Sequence, residues 1–262
     1  MTFILKEVSL ELIMANSKLN KCNTCKTEVG CNNCNLFGVL NLLGNFLHEE
    51  PDTVERILRR RDPIEKGEAL FQTGDTFKAV YAIKSGSFKT YSWLSDGKEQ
   101  VIGFHFPGEL LGLDSVRSPN YSCNAQALEQ GNVCQLQFED LDLLGNRLPQ
   151  FQEQLIQMLS NQILMDQKQS LVLGRQRADE RLAAFLIDLS NRFKGRGLPF
   201  IEFHIAMSRQ DIASYLGLAL ESISRQFTRL QEQGLLRASG KLVTLTNIPA
   251  LEELIQTKAT PH

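Results

Sequence analysis

The 262-residue chain is poor in features that usually announce a function. Its four histidines, at positions 48, 105, 204 and 262, are scattered rather than clustered. No Ser/His/Asp grouping, phosphate-cradling loop or paired carboxylates stand out, so no enzyme activity is expected. No apolar run approaches the ~18 residues a membrane helix needs. The opening MTFILKEVSLELIMANSK is broken by Lys6, Glu7 and Glu11, and it lacks the basic-then-apolar order of a secretory signal. A cytoplasmic protein without a membrane partner is therefore expected. In that compartment clustered cysteines are metal ligands more often than disulfides. The chain also lacks a strong overall charge, with 28 Lys+Arg against 30 Asp+Glu.

The near-neutral total hides an asymmetry. Residues 1–174 carry 16 basic and 21 acidic side chains, whereas residues 175–262 carry 12 and 9. A basic C-terminal part suits contact with nucleic acid, although ordinary scatter gives such a split too. With 42% hydrophobic residues the chain is long enough for two compact domains, each with its own core.

Residues 1–50 read as an arm that needs something to order it. Four of the chain's six cysteines fall in CNTCKTEVGCNNC, from Cys22 to Cys34. Two C-x-x-C pairs so close together can close a tetrahedral zinc site unaided, or leave some thiols for a ligand set completed elsewhere. A short helix is expected near Pro51–Arg60. Residues 51–146 then show short β-forming runs punctuated by glycine, with a hairpin turn at SDGK (95–98), the pattern of an antiparallel β-roll. Residues 147–174 form a long helix. Ile156, Leu159, Ile163, Asp166, Ser170 and Leu173 follow a 3-4-3-4 spacing, as along a two-helix seam. A homodimer is expected there. Asp166, within the stripe, either faces solvent at its edge or meets its own copy and opposes association.

Residues 175–262 carry the most specific signal. In MSRQDIASYLGLALESISRQFTRLQEQGLL (207–236), Ser208 is placed to cap a short helix and Gly217 to make a turn. A second helix buries Ile223, Phe227 and Leu230. LLRASGKLVTLTN then supplies a β-wing, so a winged helix-turn-helix is expected. The outward side chains suit double-stranded DNA. Arg225 can fork onto a guanine, Glu221 can accept from a cytosine amino group, and Ser224 can donate or accept. Ser208, Arg209, Ser222, Arg229 and Lys241 are candidates for the phosphate backbone.

At these residues the chain resembles the CRP/FNR superfamily of bacterial transcription regulators, and the likeness runs nearly its whole length. The α+β architecture implied is a β-roll sensor like a cyclic-nucleotide-binding domain, a dimerisation helix, and a winged helix-turn-helix. E-S-I-S-R is similar to the FNR branch, which implies base reading by Glu221, Ser224 and Arg225 on an inverted repeat of the type TTGAT-N4-ATCAA. RNA polymerase is an implied partner, and either activation or repression is compatible with the sequence.

The superfamily's cyclic-nucleotide ligands, Glu and Arg, fall here at about Leu113 and Tyr121, which supply neither an acceptor for ribose nor a charge for phosphate. No cyclic nucleotide is expected, although Glu109 and Arg117 lie nearby. The resemblance instead implies a [4Fe–4S] cluster, because Cys22, Cys25 and Cys31 have the C-x2-C-x5-C spacing of FNR oxygen sensors. AQALEQGNVCQLQF matches the context of the distant ligand, Cys134. Cys34 departs from that pattern and keeps a zinc-stabilised, non-redox regulator as the alternative. Cys123 is absent from the matching ligand positions.

Overall fold

A computed structural model describes residues 58–140, 149–175 and 177–256. Among the described residues eight short strands come first: β1 (Leu58–Arg60), β2 (Ala69–Phe71), β3 (Ala79–Ser85), β4 (Phe88–Trp93), β5 (Glu99–His105), β6 (Leu110–Leu111), β7 (Asn124–Ala127) and β8 (Asn132–Gln137). They pair antiparallel into two sheets, ordered β1-β8-β3-β6 and β2-β7-β4-β5. The roll core takes Tyr81, Ile83 and Val133 from the first sheet and Phe71, Phe88 and Ala125 from the second. Gly97, at φ +78°, makes the β4–β5 turn, a left-handed conformation that a residue with a Cβ pays to adopt.

Leu58–Arg60 form a strand rather than the end of the expected helix. The pairing Leu58↔Leu136 to Arg60↔Cys134 explains it, because β8 offers a ladder from far along the chain. Residues 51–57 of that expectation lie outside the described residues.

Five helices follow: α1 (Pro149–Arg175), α2 (Ala178–Gly195), α3 (Arg209–Tyr215), α4 (Leu220–Glu232) and α5 (Ile248–Gln256). Strands β9 (Glu202–His204), β10 (Leu236–Ser239) and β11 (Leu242–Leu245) form an antiparallel sheet ordered β10-β11-β9. Leu182, Leu186 and Leu189 of α2 are fully buried with Ile212, Leu216, Ile223 and Leu230. Each such side chain contributes about 1.5–3 kcal/mol through burial.

This second core crosses onto the roll. Tyr91, Val101, Phe104, Phe106 and Leu128 belong to the same cluster as the α2, α3 and α4 side chains. The reason lies in β5, which ends the order β2-β7-β4-β5 and so has an edge without a strand partner. Helix α3 covers it. Val101 N–H donates to Ser214 Oγ at 2.8 Å, and the same hydroxyl donates to Glu99 O at 2.8 Å. Phe104, Phe185 and Tyr215 pack their rings beside this joint, with centroids 4.9–5.9 Å apart.

Candidate nucleic-acid interface and sensor site

The local sequence builds the reading unit directly. Ser208 Oγ accepts from Asp211 N–H at 3.0 Å, and Asp211 Oδ2 accepts from Ser208 N–H at 2.8 Å. This reciprocal cap satisfies two donors at the start of α3. Gly217 makes the turn with φ +62°. Helix α4 buries Ile223, Phe227 and Leu230 and leaves Glu221, Ser224 and Arg225 exposed on its opposite side. Its N-cap is Ala219, which has no side-chain acceptor, so the first N–H groups are not covered by a cap. The wing is the β10–β11 hairpin, turned at Gly240.

Two of the three candidate base-reading side chains bond locally. Ser224 Oγ donates to Leu220 O at 3.1 Å, and Arg225 Nη2 donates to Ser222 Oγ at 3.3 Å. The phosphate candidates are more varied. Ser208 serves as the cap, and Ser222 is half-buried. Arg209 stacks its guanidinium 3.2 Å from the Phe227 ring centroid, and burial lowers its pKa. Arg229 Nη1 lies 3.3 Å from Asp179 Oδ2, a buried carboxylate at the start of α2, so this cation ties α4 to α2. Lys241 Nζ donates to Ala206 O at 2.8 Å, drawing the wing onto the domain.

On the roll, Leu113 begins a 3-10 turn and is half-buried. Tyr121 is buried. Its ring stacks 4.0 Å from that of Phe71, and its hydroxyl donates to Ala79 O at 2.6 Å. Burial raises the Tyr121 pKa, so the phenol stays protonated and uncharged. Arg117 is exposed, while Glu109 Oε2 lies 2.7 Å from Arg192 Nη2 and Glu109 Oε1 pairs with Arg196. Burial works against the Glu109 carboxylate, but Arg192, His105 and Arg196 outweigh it and hold its pKa below the usual range.

Cys134 lies on β8, half-buried, opposite Ala82 of β3 and Arg60 of β1. Cys22, Cys25, Cys31 and Cys34 lie outside the described residues. Among the described residues no three metal-ligating side chains cluster. Cys123 is buried, and desolvation with the nearby Asp114 carboxylate pushes its pKa up to about 12, which makes it a poor nucleophile. On α1, Ile156, Leu159 and Ile163 are exposed, as is Asp166, whose Oδ1 accepts from Gln162 Nε2 at 2.9 Å. None of the described helices is long and apolar enough to cross a membrane.

Two charged groups of the joint escape a reading of the sequence. Lys89 on β4 binds Asp211 on α3 at 2.8 Å across 122 residues. Arg192 and Arg196 look like an ordinary basic helix end but reach back to Glu109. A pair separated so far along the chain has no local pattern, and no sequence signal would have found either.

An antiparallel roll joined through a long helix to a winged helix-turn-helix defines a DNA-binding regulator with a sensor domain. Residues 180–254 match the Crp-like helix-turn-helix domain family, and residues 61–147 match the cyclic nucleotide-binding domain family. The transcriptional activator protein Anr of Pseudomonas aeruginosa is 46% identical over 216 residues, covering 82% of this chain and 88% of the relative. The fumarate and nitrate reduction regulatory protein of Escherichia coli K12 is 41% identical over 226 residues, covering 86% and 90%. The solved structure of FixK2 from Bradyrhizobium japonicum is similar at a TM-score of 0.70 and 30% identity, covering 78% of this chain and all of that one. The chain belongs to the CRP/FNR family of transcription regulators. It is a regulator and not an enzyme.

Proposed function

We propose that the protein is an anaerobic, oxygen-responsive regulator that binds an inverted repeat as a homodimer. The observation that carries this reading is the exposed face of α4. Glu221, Ser224 and Arg225 stand together on the open side of a helix whose other side is fully packed. Arg225 is the candidate for guanine, Glu221 for a cytosine amino group, and Ser224 for an adjacent base. Arg209, Arg229 and Lys241, with Ser208 and Ser222, are the candidates for the backbone contacts that set register. The relatives' names, an activator and a fumarate and nitrate reduction regulator, support an anaerobic role.

The division proposed is an arm (1–50), a roll (51–146), a dimer helix (147–174) and a DNA-binding domain (175–262). Ile156, Leu159 and Ile163, between 38% and 65% exposed, support α1 as the dimer seam, since apolar side chains at helical spacing await a partner. Two copies of α4 would then meet half-sites about one DNA turn apart.

The proposed cluster ligands are Cys22, Cys25, Cys31 and Cys134. A half-buried thiol on β8 fits a soft-metal site. Val80, Ala82 and Leu136 are buried on the same sheet face as Cys134, where the described sheet offers that thiol an apolar setting. When bound, a [4Fe–4S] group supplies an oxygen-labile tie between arm and roll. The chain's own residues do the rest: Cys134 anchors the tie to the sheet, and α1 converts arm position into dimer affinity. Cyclic nucleotide has no place in this reading, because Leu113 and Tyr121, at the family's ligand positions, offer neither an acceptor for ribose nor a charge for phosphate, and Glu109 is paired with Arg192 and Arg196.

The test is anaerobic purification with iron and sulfide counts, followed by binding to TTGAT-N4-ATCAA before and after air. The expected result is a coloured protein whose DNA affinity falls in air. A colourless, zinc-containing protein that binds DNA equally in air would overturn the oxygen reading.

A further inference from the structure

Lys89 is an unexpected residue in its position. It lies on β4 between Phe88 and Thr90, both buried, and its side chain is only 8% exposed. An ammonium taken out of water is costly unless it is closely paired. Its Nζ lies 2.5 Å from Glu99 Oε1 on the neighbouring strand and 2.8 Å from Asp211 Oδ1 on α3. The second oxygen of Asp211 closes the cap of α3 with Ser208. One carboxylate therefore both starts the first helix of the reading unit and fastens it to the sensor.

Three more bonds hold the other end of the same helix. Ser214 Oγ accepts from Val101 N–H and donates to Glu99 O, while Gln100 Nε2 donates to Ser214 O at 2.6 Å. Helix α3 has only seven residues. With both ends bonded to β4 and β5, it has little freedom to tilt. Helix α4 follows it directly through the Gly217 turn. Lys89, Asp211 and Ser214 thus help to set the orientation of α4 relative to the roll, beside the Arg192 and Arg196 bonds that α2 makes to Glu109. Docking leaves Glu221, Ser224 and Arg225 exposed, so the docked unit is free to read DNA.

An inverted repeat is held at two points. The gain from the second point depends on how well the second reading helix is already aimed. We infer that Lys89 is a positioning residue, which holds each reading helix at the angle that lets two copies engage both half-sites together. It touches no base and no phosphate. The inference rests on the dimeric inverted-repeat reading given above.

The test uses full-length, anaerobically prepared dimer. Affinity is measured for the inverted repeat, for a single half-site, and for repeats with the spacer lengthened or shortened by one base pair. Lys89→Met is expected to lower affinity for the inverted repeat by about tenfold, with half-site affinity within about twofold of the parent and a flatter spacer preference. Lys89→Arg, which keeps the charge, is expected to restore most of the loss. An unchanged ratio of inverted-repeat to half-site affinity in Lys89→Met overturns the inference. So does an equal loss on both DNAs, the mark of a merely structural role. Should Lys89→Met not fold, Gln100→Ala decides the matter, because it removes a bond to the same helix. It must lower the same ratio by about threefold, and no change in it overturns the inference. A wild-type protein that does not prefer the inverted repeat sinks the dimeric reading itself, a result distinct from failure of the variants.

Discussion

Helices α1 and α2 follow one another in the chain and solve the same problem in opposite ways. Both carry leucines and isoleucines at helical spacing. Helix α2 buries Leu182, Leu186 and Leu189 completely between the roll and the reading unit. Helix α1 leaves Ile156, Ile163 and Leu171 between 57% and 65% exposed. The difference lies in what each helix meets. The partner of α2 is inside the chain: its leucines share one core with side chains of α3, α4, α5 and the roll. The apolar stripe of α1 has no such partner among the described residues, which is why a second copy of α1 is proposed. Stability is therefore written into α2, and association is what the exposed stripe of α1 is proposed to serve.

The sharpest way to break this contrast is to truncate one side chain on each helix. Leu186→Ala should destabilise the folded chain by about 2–5 kcal/mol, because it leaves a cavity in the shared core. Ile163→Ala should change monomer stability by less than about 0.5 kcal/mol and instead weaken the dimer. Urea unfolding and sedimentation of the two variants separate these outcomes. Equal loss of stability in both would show that α1 packs within its own chain.

The joint beside α2 also predicts a pH response that α1 does not share. Burial pushes the His105 pKa down from 6.5 to about 4, with Thr90 Oγ1 3.0 Å from its Nε2. Between those values the unfolded chain binds a proton that the folded chain refuses. Stability should therefore fall as pH drops through that window, with a slope of up to about 1.4 kcal/mol per pH unit. Denaturant midpoints from pH 7 to pH 4 measure it, and His105→Gln should flatten the curve.

The smallest effect concerns Asp166. If two copies face each other across the seam, like charges near 4 Å oppose the dimer by about 1 kcal/mol in water. Asp166→Ala should then strengthen aerobic dimerisation roughly fivefold. An unchanged monomer–dimer equilibrium would place Asp166 at the solvent edge of the seam.

Legibility of the fold followed sequence distance. The helix-turn-helix was readable because Ile212, Leu216, Ile223, Phe227 and Leu230 repeat at helical spacing within one window, with Gly217 between them. The β4–β5 hairpin was readable from SDGK for the same reason. The strand at Leu58–Arg60 was not, because its state depends on β8. Arg229 reads as a phosphate candidate, and its further pairing with Asp179 is revealed only by the packing of α4 on α2. Glu109 reads as a stray acid near a ligand position, yet it is the anchor for Arg192 and Arg196.

By itself the sequence determined what is local: the roll's short strands and turns, the long helix, the second helix of the helix-turn-helix with its exposed Glu221, Ser224 and Arg225, and the cysteine spacing. Side-chain periodicity and turn chemistry act over a few residues, so a linear reading captures them. The tertiary structure alone decided how sensor and reader meet. The edge of β5, the buried Lys89 and the half-buried Glu109 each gained partners from helices about a hundred residues further along.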